Sequence, residues 1–261
     1  MTFSVVAYDP EMDEWGVAVA SRYLSVGSVV PWAVHGVGCI ATQAMANYSY
    51  GPKGLSLLAD KDADETIKIL TSEDPESSHR QIGVVDRHGN AASFTGKKCF
   101  DYAGNIVGKN FSVQGNILAG SEVLERMVAV MGKPGKLEYR LVDCLKAGES
   151  AGGDRRGRQS AAILIASRKR EFEATSGKFM EIRVEDHSDP LKELERIRDL
   201  WVLMFYDNEM VPVEKYKDRI QSRLKELGFN TLEQWAGINN FEHNLKDGMI
   251  GRKTLDFLLS G

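Results

Sequence analysis

Residues 2–22, TFSVVAYDPEMDEWGVAVASR, decide how this chain is read. They divide into TFSVVAY, a polar DPEMDE turn and WGVAVASR, two strand-like runs joined as a hairpin. Apolar residues stand at adjacent as well as alternate positions in both runs, which suits a sheet covered on both faces. Thr2 stands at the head, behind the initiator methionine. A small residue there usually lets the methionine be trimmed, which would place a nucleophilic hydroxyl and a basic α-amine on one residue. A threonine hydroxyl is a weak nucleophile until a neighbouring base takes its proton, and an α-amine with a pKa near ~8 can do so. A strand end would hold that pair against a rigid scaffold. Position alone also fits an ordinary β-branched residue opening a strand.

Outward from the hairpin the same texture continues. GSVVPWAVHGVGCIATQA (27–44) is rich in Val, Ile and Gly, and Pro31 marks a strand start or an edge. QIGVVDRHGNAASFTG (81–96) reads as a second hairpin around DRHGN, with Gly89 and Asn90 able to take positive φ. Between them DADETIKIL carries helix signals, with Asp62 as cap and Glu65 three residues on. SEVLERMVAVM and KLEYRLVDCLKAG form a helical pair, Ser121 capping the first and Gly148 stopping the second. SAAILIAS and FMEIRVED return to strand character, and Pro190 opens a charged helix. Hairpins interrupted by blocks of helices indicate α+β layering, two antiparallel sheets with helices outside them, rather than βαβ units. The expected division is an α+β domain over 1–190 and a small helical module over 191–261.

A chain of 261 residues with 43% hydrophobic and 27% charged residues falls outside the disordered, collagen and membrane classes. Its net charge of −4 does not favour non-specific attraction to nucleic acid or anionic lipid, so any anion site must be local. Cys39, Cys99 and Cys144 form neither a C-x-x-C nor an even set, which points to buried free thiols. With no leader pattern and no apolar run approaching ~20 residues, a cytoplasmic protein is expected, in contact with neither membrane nor nucleic acid. His35, His79, His88, His187 and His243 show no H-x-x-x-H or H-E-x-x-H spacing, so no metal is expected, and no cofactor.

The Thr-led hairpin ending in Ala-Ser-Arg resembles the Ntn (N-terminal nucleophile) hydrolases, whose proteasome-type members begin in the same way. More closely, the segments TFSVVAYDP, GVAVASR, VGSVVPWA, GVGCIATQA, YGPKGL, QIGVVD, FSVQGNILAG and AGGDRRGRQSA resemble the domain of unknown function 1028 family, in order over the first ~165 residues. That resemblance implies an Ntn-hydrolase-like, four-layer αββα sandwich. RIQSRLKELGFNTLEQWAGI and DGMIGRKTLDFL are similar to the peptidoglycan-binding-like helical piece that members often carry at the C-terminus. The chain departs from the proteasome pattern in one respect, since its first lysine is Lys53, well beyond the hairpin. Arg22 and His35 are the nearest residues able to take the tuning role, although Arg is too basic to accept a proton and a lone His in an apolar run also suits packing.

Two further constellations carry chemistry. GGDRRGRQS concentrates Asp154, Arg155, Arg156 and Arg158 beside flexible glycines, with Gln159 and Ser160 at the strand entrance. Such arginines can bind a carboxylate or phosphate bidentately, or form an ordinary solvated ion pair. TQAMANYSYGP and VQGNILAG offer Thr42, Gln43, Asn47 and Asn116 as donors for an oxyanion or as turn residues. The reading is a small-molecule amidohydrolase cleaving a C–N bond of an amide, ureide or acyl amino acid, with an anionic substrate and a homo-oligomer both left open as options. Thr2, Arg22 and the arginine loop are expected to line one pocket. The rival is a binding protein that keeps the scaffold without the chemistry.

Overall fold

The computed structural model describes residues 2–170, 177–206 and 209–260. The chain divides into two compact units, residues 1–195 and 196–261. In chain order the first unit contains β1 (Thr2–Asp9), β2 (Glu14–Ser21), β3 (Pro31–Val34), β4 (Gly38–Ala44), α1 (Tyr50–Leu58), α2 (Ala63–Ser72), β5 (Arg80–Asp86), β6 (Ala91–Thr95), β7 (Gly104–Gly108), β8 (Phe111–Asn116), α3 (Glu122–Met131), α4 (Leu137–Ser150), β9 (Ser160–Ala166) and β10 (Lys178–Val184). Helix α5 (Pro190–Phe205) begins at the expected proline and runs across the boundary between the units.

Every strand pairing among the described residues is antiparallel. One sheet has the order β10-β9-β2-β1-β8-β7, the other β3-β4-β5-β6. The architecture is thus mixed helix and sheet, with helices α1 and α2 on the smaller sheet and α3 and α4 on the larger. Both faces of β1 and β2 are buried, which explains their unbroken apolar texture. Val6, Trp15, Val17 and Val19 pack against Cys39, Ala41 and Val85 of the other sheet, while Gly16 on the reverse face lies under Leu137 and Leu141 of α4. Ile40, Ile82 and Val84 face α1 and α2, against Tyr50, Leu58, Ile67 and Leu70. Pro31 opens an edge strand, where its missing N–H costs no ladder bond.

Local signals succeed where a side chain meets its own backbone. Asp62 accepts from the Glu65 amide at 2.8 Å and caps α2. In the DRHGN turn Asp86 accepts from the amides of His88 and Asn90, and of the two turn residues only Gly89 takes positive φ. Two expectations fail. Ser121 makes no capping bond from its side chain, and α4 runs on through Gly148 to Ser150. Gly148 serves helix packing instead, because an added Cβ would lie 2.9 Å from Met127 Cγ.

The second unit holds β11 (Met210–Pro212), α6 (Lys217–Glu226), α7 (Leu232–Ile238), β12 (Leu245–Lys246), β13 (Met249–Gly251) and α8 (Arg252–Ser260). Its core joins Ile220, Leu224, Trp235, Phe241, Ile250 and Leu255. The helices fall where the sequence placed them, but a small β11-β13-β12 sheet accompanies them. Strands of two or three residues are too short to carry an alternating pattern.

Candidate functional site

Thr2 opens β1 beside Ser21 of β2 on one side and Asn116 of β8 on the other. It is 6% exposed, and its Oγ1 lies 3.1 Å from Ser21 Oγ, an arrangement in which either hydroxyl can donate. Alternation along β1 puts Thr2, Ser4 and Val6 on the face toward the smaller sheet. Behind Thr2 that face is polar. Ser4 Oγ donates to Gln43 Oε1 at 2.7 Å and accepts from Gln114 Nε2 at 2.7 Å. Gln43 Nε2 donates to Gln81 Oε1 at 2.8 Å and, over 3.4 Å, to the Thr2 carbonyl. Asn116 Nδ2 donates to the same Gln81 oxygen at 2.9 Å. Gln81 Nε2 reaches the Gly115 carbonyl and Thr95 Oγ1. Three glutamines almost wholly buried between two sheets are tolerable because each amide finds partners.

A cavity of about 90 Å³ adjoins Thr2, lined by Val26, Val29, Val30, Gln43, Ala44, Ala46, Tyr23 and Tyr48. Its walls come from the β2–β3 and β4–α1 connections, and both are held by named bonds. Ser160 Oγ donates to the Tyr23 carbonyl and accepts from the Val26 amide. Asp74 Oδ2 accepts from Asn47 Nδ2, Tyr50 Oη and Arg80 Nε at 2.9–3.0 Å, and Arg80 also donates to the Met45 carbonyl. Burial alone would raise the Asp74 carboxyl, but the bonds from Arg80, Asn47, the Glu76 amide and Tyr50 outweigh it and hold it well below the usual carboxylate range. Burial, with the bond to Asp74, pushes the Tyr50 phenol above its ordinary value.

The backbone around Thr2 is also unusual. Ala44 and Ile117, which directly follow Gln43 and Asn116, take φ of 71° and 49°, and Ser25 takes 56°. The left-handed region is unfavourable for a β-branched residue, and such strain collects at functional sites where the surrounding structure over-determines it.

Of the residues singled out in the sequence, Thr2, Gln43 and Asn116 come together. Thr42 and Asn47 do not line the cavity but brace the β4–α1 connection, Thr42 Oγ1 donating to the Asn47 carbonyl and Asn47 Oδ1 accepting from Ser49. The arginine loop does not share the Thr2 cavity. Asp154 accepts the Arg22 amide at 2.7 Å and the Arg156 amide at 2.8 Å, so it fastens the loop to the end of β2. Arg22 Nη1 donates to the Arg158 carbonyl rather than toward Thr2. The Arg155 amide bonds the Ile117 carbonyl and its side chain is exposed. Arg158 pairs with Glu149 at 3.1 Å and lines a separate cavity of about 210 Å³ with Phe3, Ala20, Ser21 and Asp154. Burial raises the Glu149 carboxyl, and Arg158 only partly offsets it. Gln159 donates to Asp186.

His35 is not a neighbour of Thr2. It bonds Asp13 at 3.2 Å and meets the edge of Trp15, at the hairpin-turn end of β1, some ~20 Å of extended strand away. Ser4, Ser21, Gln81 and Gln114 were not singled out in the sequence. A partial signal exists in Gly83, a strand glycine whose added Cβ would lie 2.2 Å from Gln114 Oε1. A larger open cleft of about 680 Å³, lined in part by Asp64, His88, Asn90 and Lys109, lies at the end far from Thr2.

Cys39 and Cys144 are buried free thiols and Cys99 is half-buried; burial pushes the Cys39 thiol up to about 12. Among the described residues no helix is long and apolar enough to cross a membrane.

Comparison with known proteins places these features. No curated protein matches the sequence. The crystal structure of protein SPO2555 from Silicibacter pomeroyi is 30% identical with a TM-score of 0.70, over 77% of this chain and 89% of that one, and it belongs to family DUF1028. Anbu (ancestral beta-subunit) from Yersinia bercovieri aligns over 76% of this chain and 92% of that chain, at 12% identity and a TM-score of 0.37, a likeness too low to carry an argument. A family model described as "Putative peptidoglycan binding domain" matches residues 205–258. The model of DUF1028, a family of unknown function, matches residues 2–194, and over that span the chain belongs to this family.

Proposed function

We propose that the first unit is a four-layer αββα sandwich of the Ntn-hydrolase kind and that it hydrolyses the C–N bond of a small amide, ureide or acyl amino acid through Thr2. The observation that carries this reading is the buried Thr2 hydroxyl, 3.1 Å from Ser21 Oγ at the head of a strand and open to a cavity. The four-layer reading is supported by two antiparallel sheets that share an apolar interface, each with two helices against it. The left-handed Ala44 and Ile117 beside the site support its being more than a strand end.

In this mechanism removal of Met1, which lies outside the described residues, frees the Thr2 amine. The amine takes the hydroxyl proton as Oγ1 attacks the substrate carbonyl. The C–N bond breaks, the leaving nitrogen receives that proton, and an ester to Thr2 remains. Water then attacks the ester, one proton returns to Oγ1, and the acid is released. Ser21 positions the nucleophile by hydrogen bonding. Met1-free protein, verified by intact mass, should hydrolyse a member of an amide, ureide and acyl amino acid panel. Thr2→Ala should abolish turnover with the fold intact, and Thr2→Ser should keep part of it. Equal turnover in Thr2→Ala and the parent would sink the reading, and a Met1-free protein inactive on the whole panel would favour the binding protein.

A further inference from the structure

Among the described residues, no charged side chain lines the cavity beside Thr2. Val26 and Val30 are 1% and 2% exposed and form its inner wall, with Val29, Ala44 and Ala46 completing the apolar surface. Gln43 is the one amide side chain among the described lining residues, and its oxygen and nitrogen are already engaged with Ser4 and Gln81. At the mouth stand Tyr23 and Tyr48, rings about half exposed. They come one from each of the two connections that wall the cavity. The cationic side chains nearest the site are engaged elsewhere, since Arg158 pairs with Glu149 in the separate cavity, Arg80 pairs with Asp74 and Arg22 is tied to the loop backbone.

We propose that this cavity is the acyl pocket of the site and takes a short, uncharged, branched aliphatic chain, with the Tyr23 and Tyr48 rings closing over it. The inference rests on the Thr2 reading for its place in a reaction, but it concerns binding. An apolar wall without a charged side chain among the described residues gives a carboxylate little to replace its water, so a charged acyl chain is disfavoured. The volume sets the size. About 90 Å³ corresponds to ~3 water-sized groups, which suits an isobutyryl or isovaleryl chain and is smaller than the ~150 Å³ apolar cavity that takes benzene, so a phenyl ring is disfavoured.

The test uses uncharged amides and one charged analogue as probes, titrated by NMR into Met1-free protein. Isobutyramide should bind, and succinamate and phenylacetamide should bind ~10-fold more weakly or not at all, a ratio of the size a small apolar pocket produces. Val29→Phe, at a half-buried wall position, should abolish isobutyramide binding while the circular dichroism spectrum is unchanged. If that variant does not fold, Val30→Ala decides, since it deletes two methyl groups and should strengthen binding of the longer hexanamide. Succinamate binding as tightly as isobutyramide, no binding of isobutyramide, a folded Val29→Phe that binds normally, or no gain for hexanamide in Val30→Ala would each overturn the proposal. The nucleophile is read separately. Thr2→Ala that still turns over substrate but binds isobutyramide would sink the mechanism and leave the pocket, whereas loss of turnover in Thr2→Ala with succinamate preferred would do the reverse.

Discussion

At the scale of single residues, Ser21 and Asp74 matter as much as the amides visible in the sequence. Ser21 Oγ is the hydroxyl at hydrogen-bond distance from Thr2 Oγ1, so Ser21→Ala should lower kcat ~10-fold or more with KM little changed, as expected when a nucleophile loses its positioning. Stopped assays with a substrate found for the parent would check the split between kcat and KM. Asp74 acts through the β4–α1 connection that Asn47 and Arg80 brace. Its carboxyl is held below the unfolded value of ~3.9, so its stabilisation is complete above that pH and is lost as pH falls below it toward the folded pKa. Asp74→Asn should therefore cost ~2 kcal/mol at pH 7, the loss of a charge-assisted bond, and progressively less below pH ~4. Urea unfolding of parent and variant at both pH values measures this. A cost that does not shrink in acid would mean that shape rather than charge sets the effect.

Among the elements, two glycines with crowded neighbours should behave differently. Gly83 sits in β5, and an added Cβ would lie 2.2 Å from Oε1 and 2.6 Å from Cδ of Gln114, a buried amide fixed by Ser4 and Ser112. Gly83→Ala should cost ~1 to 3 kcal/mol by overpacking and disturb the polar core behind Thr2. At Gly148 of α4 the nearest atoms are Cγ and Sδ of Met127, a flexible side chain that can shift, and alanine gains ~1 kcal/mol of helix propensity over glycine. Gly148→Ala should leave stability within ~1 kcal/mol of the parent. Chemical denaturation of the two variants compares them directly, and an equal loss in both would show that contact distance alone, without the mobility of the neighbour, governs the cost.

For the whole first unit, the start of β2, the start of α4 and the segment after β9 are locked by one buried ion cluster. Arg170 donates to Glu14 at 2.5 Å and to Glu138 at 2.9 Å, all three side chains at most 1% exposed, with the guanidinium 3.8 Å above the Phe179 ring. Burial raises the Glu14 carboxyl despite Arg170, and Glu138 adds to it. A raised acid is better protonated folded than unfolded, so ionising Glu14 costs stability as pH rises from ~4.3 toward its folded pKa. Arg170→Met, which strands two acids, should cost ~3 to 5 kcal/mol at pH 7, measured by urea unfolding. Recovery in the triple change Arg170→Met, Glu14→Gln, Glu138→Gln would show that unpaired charge caused the loss. The sequence by itself determined the family and many of the elements: the Thr-led hairpin, the Asp62 cap, the DRHGN turn and the helical pair all rest on contacts within a few residues, where side-chain period and backbone chemistry act alone. It also named Thr2, Gln43 and Asn116. Only the tertiary structure decided what faces Thr2. Stacking of the two sheets brought in Gln81, strand pairing brought in Ser21 and Gln114, strand alternation put Ser4 on the same face, and chain direction carried His35 to the far end of β1 and turned Arg158 toward Glu149. Strand alternation fixes which residues share a face, but the partner across the sheet interface is chosen by packing between segments tens of residues apart, which no local pattern records.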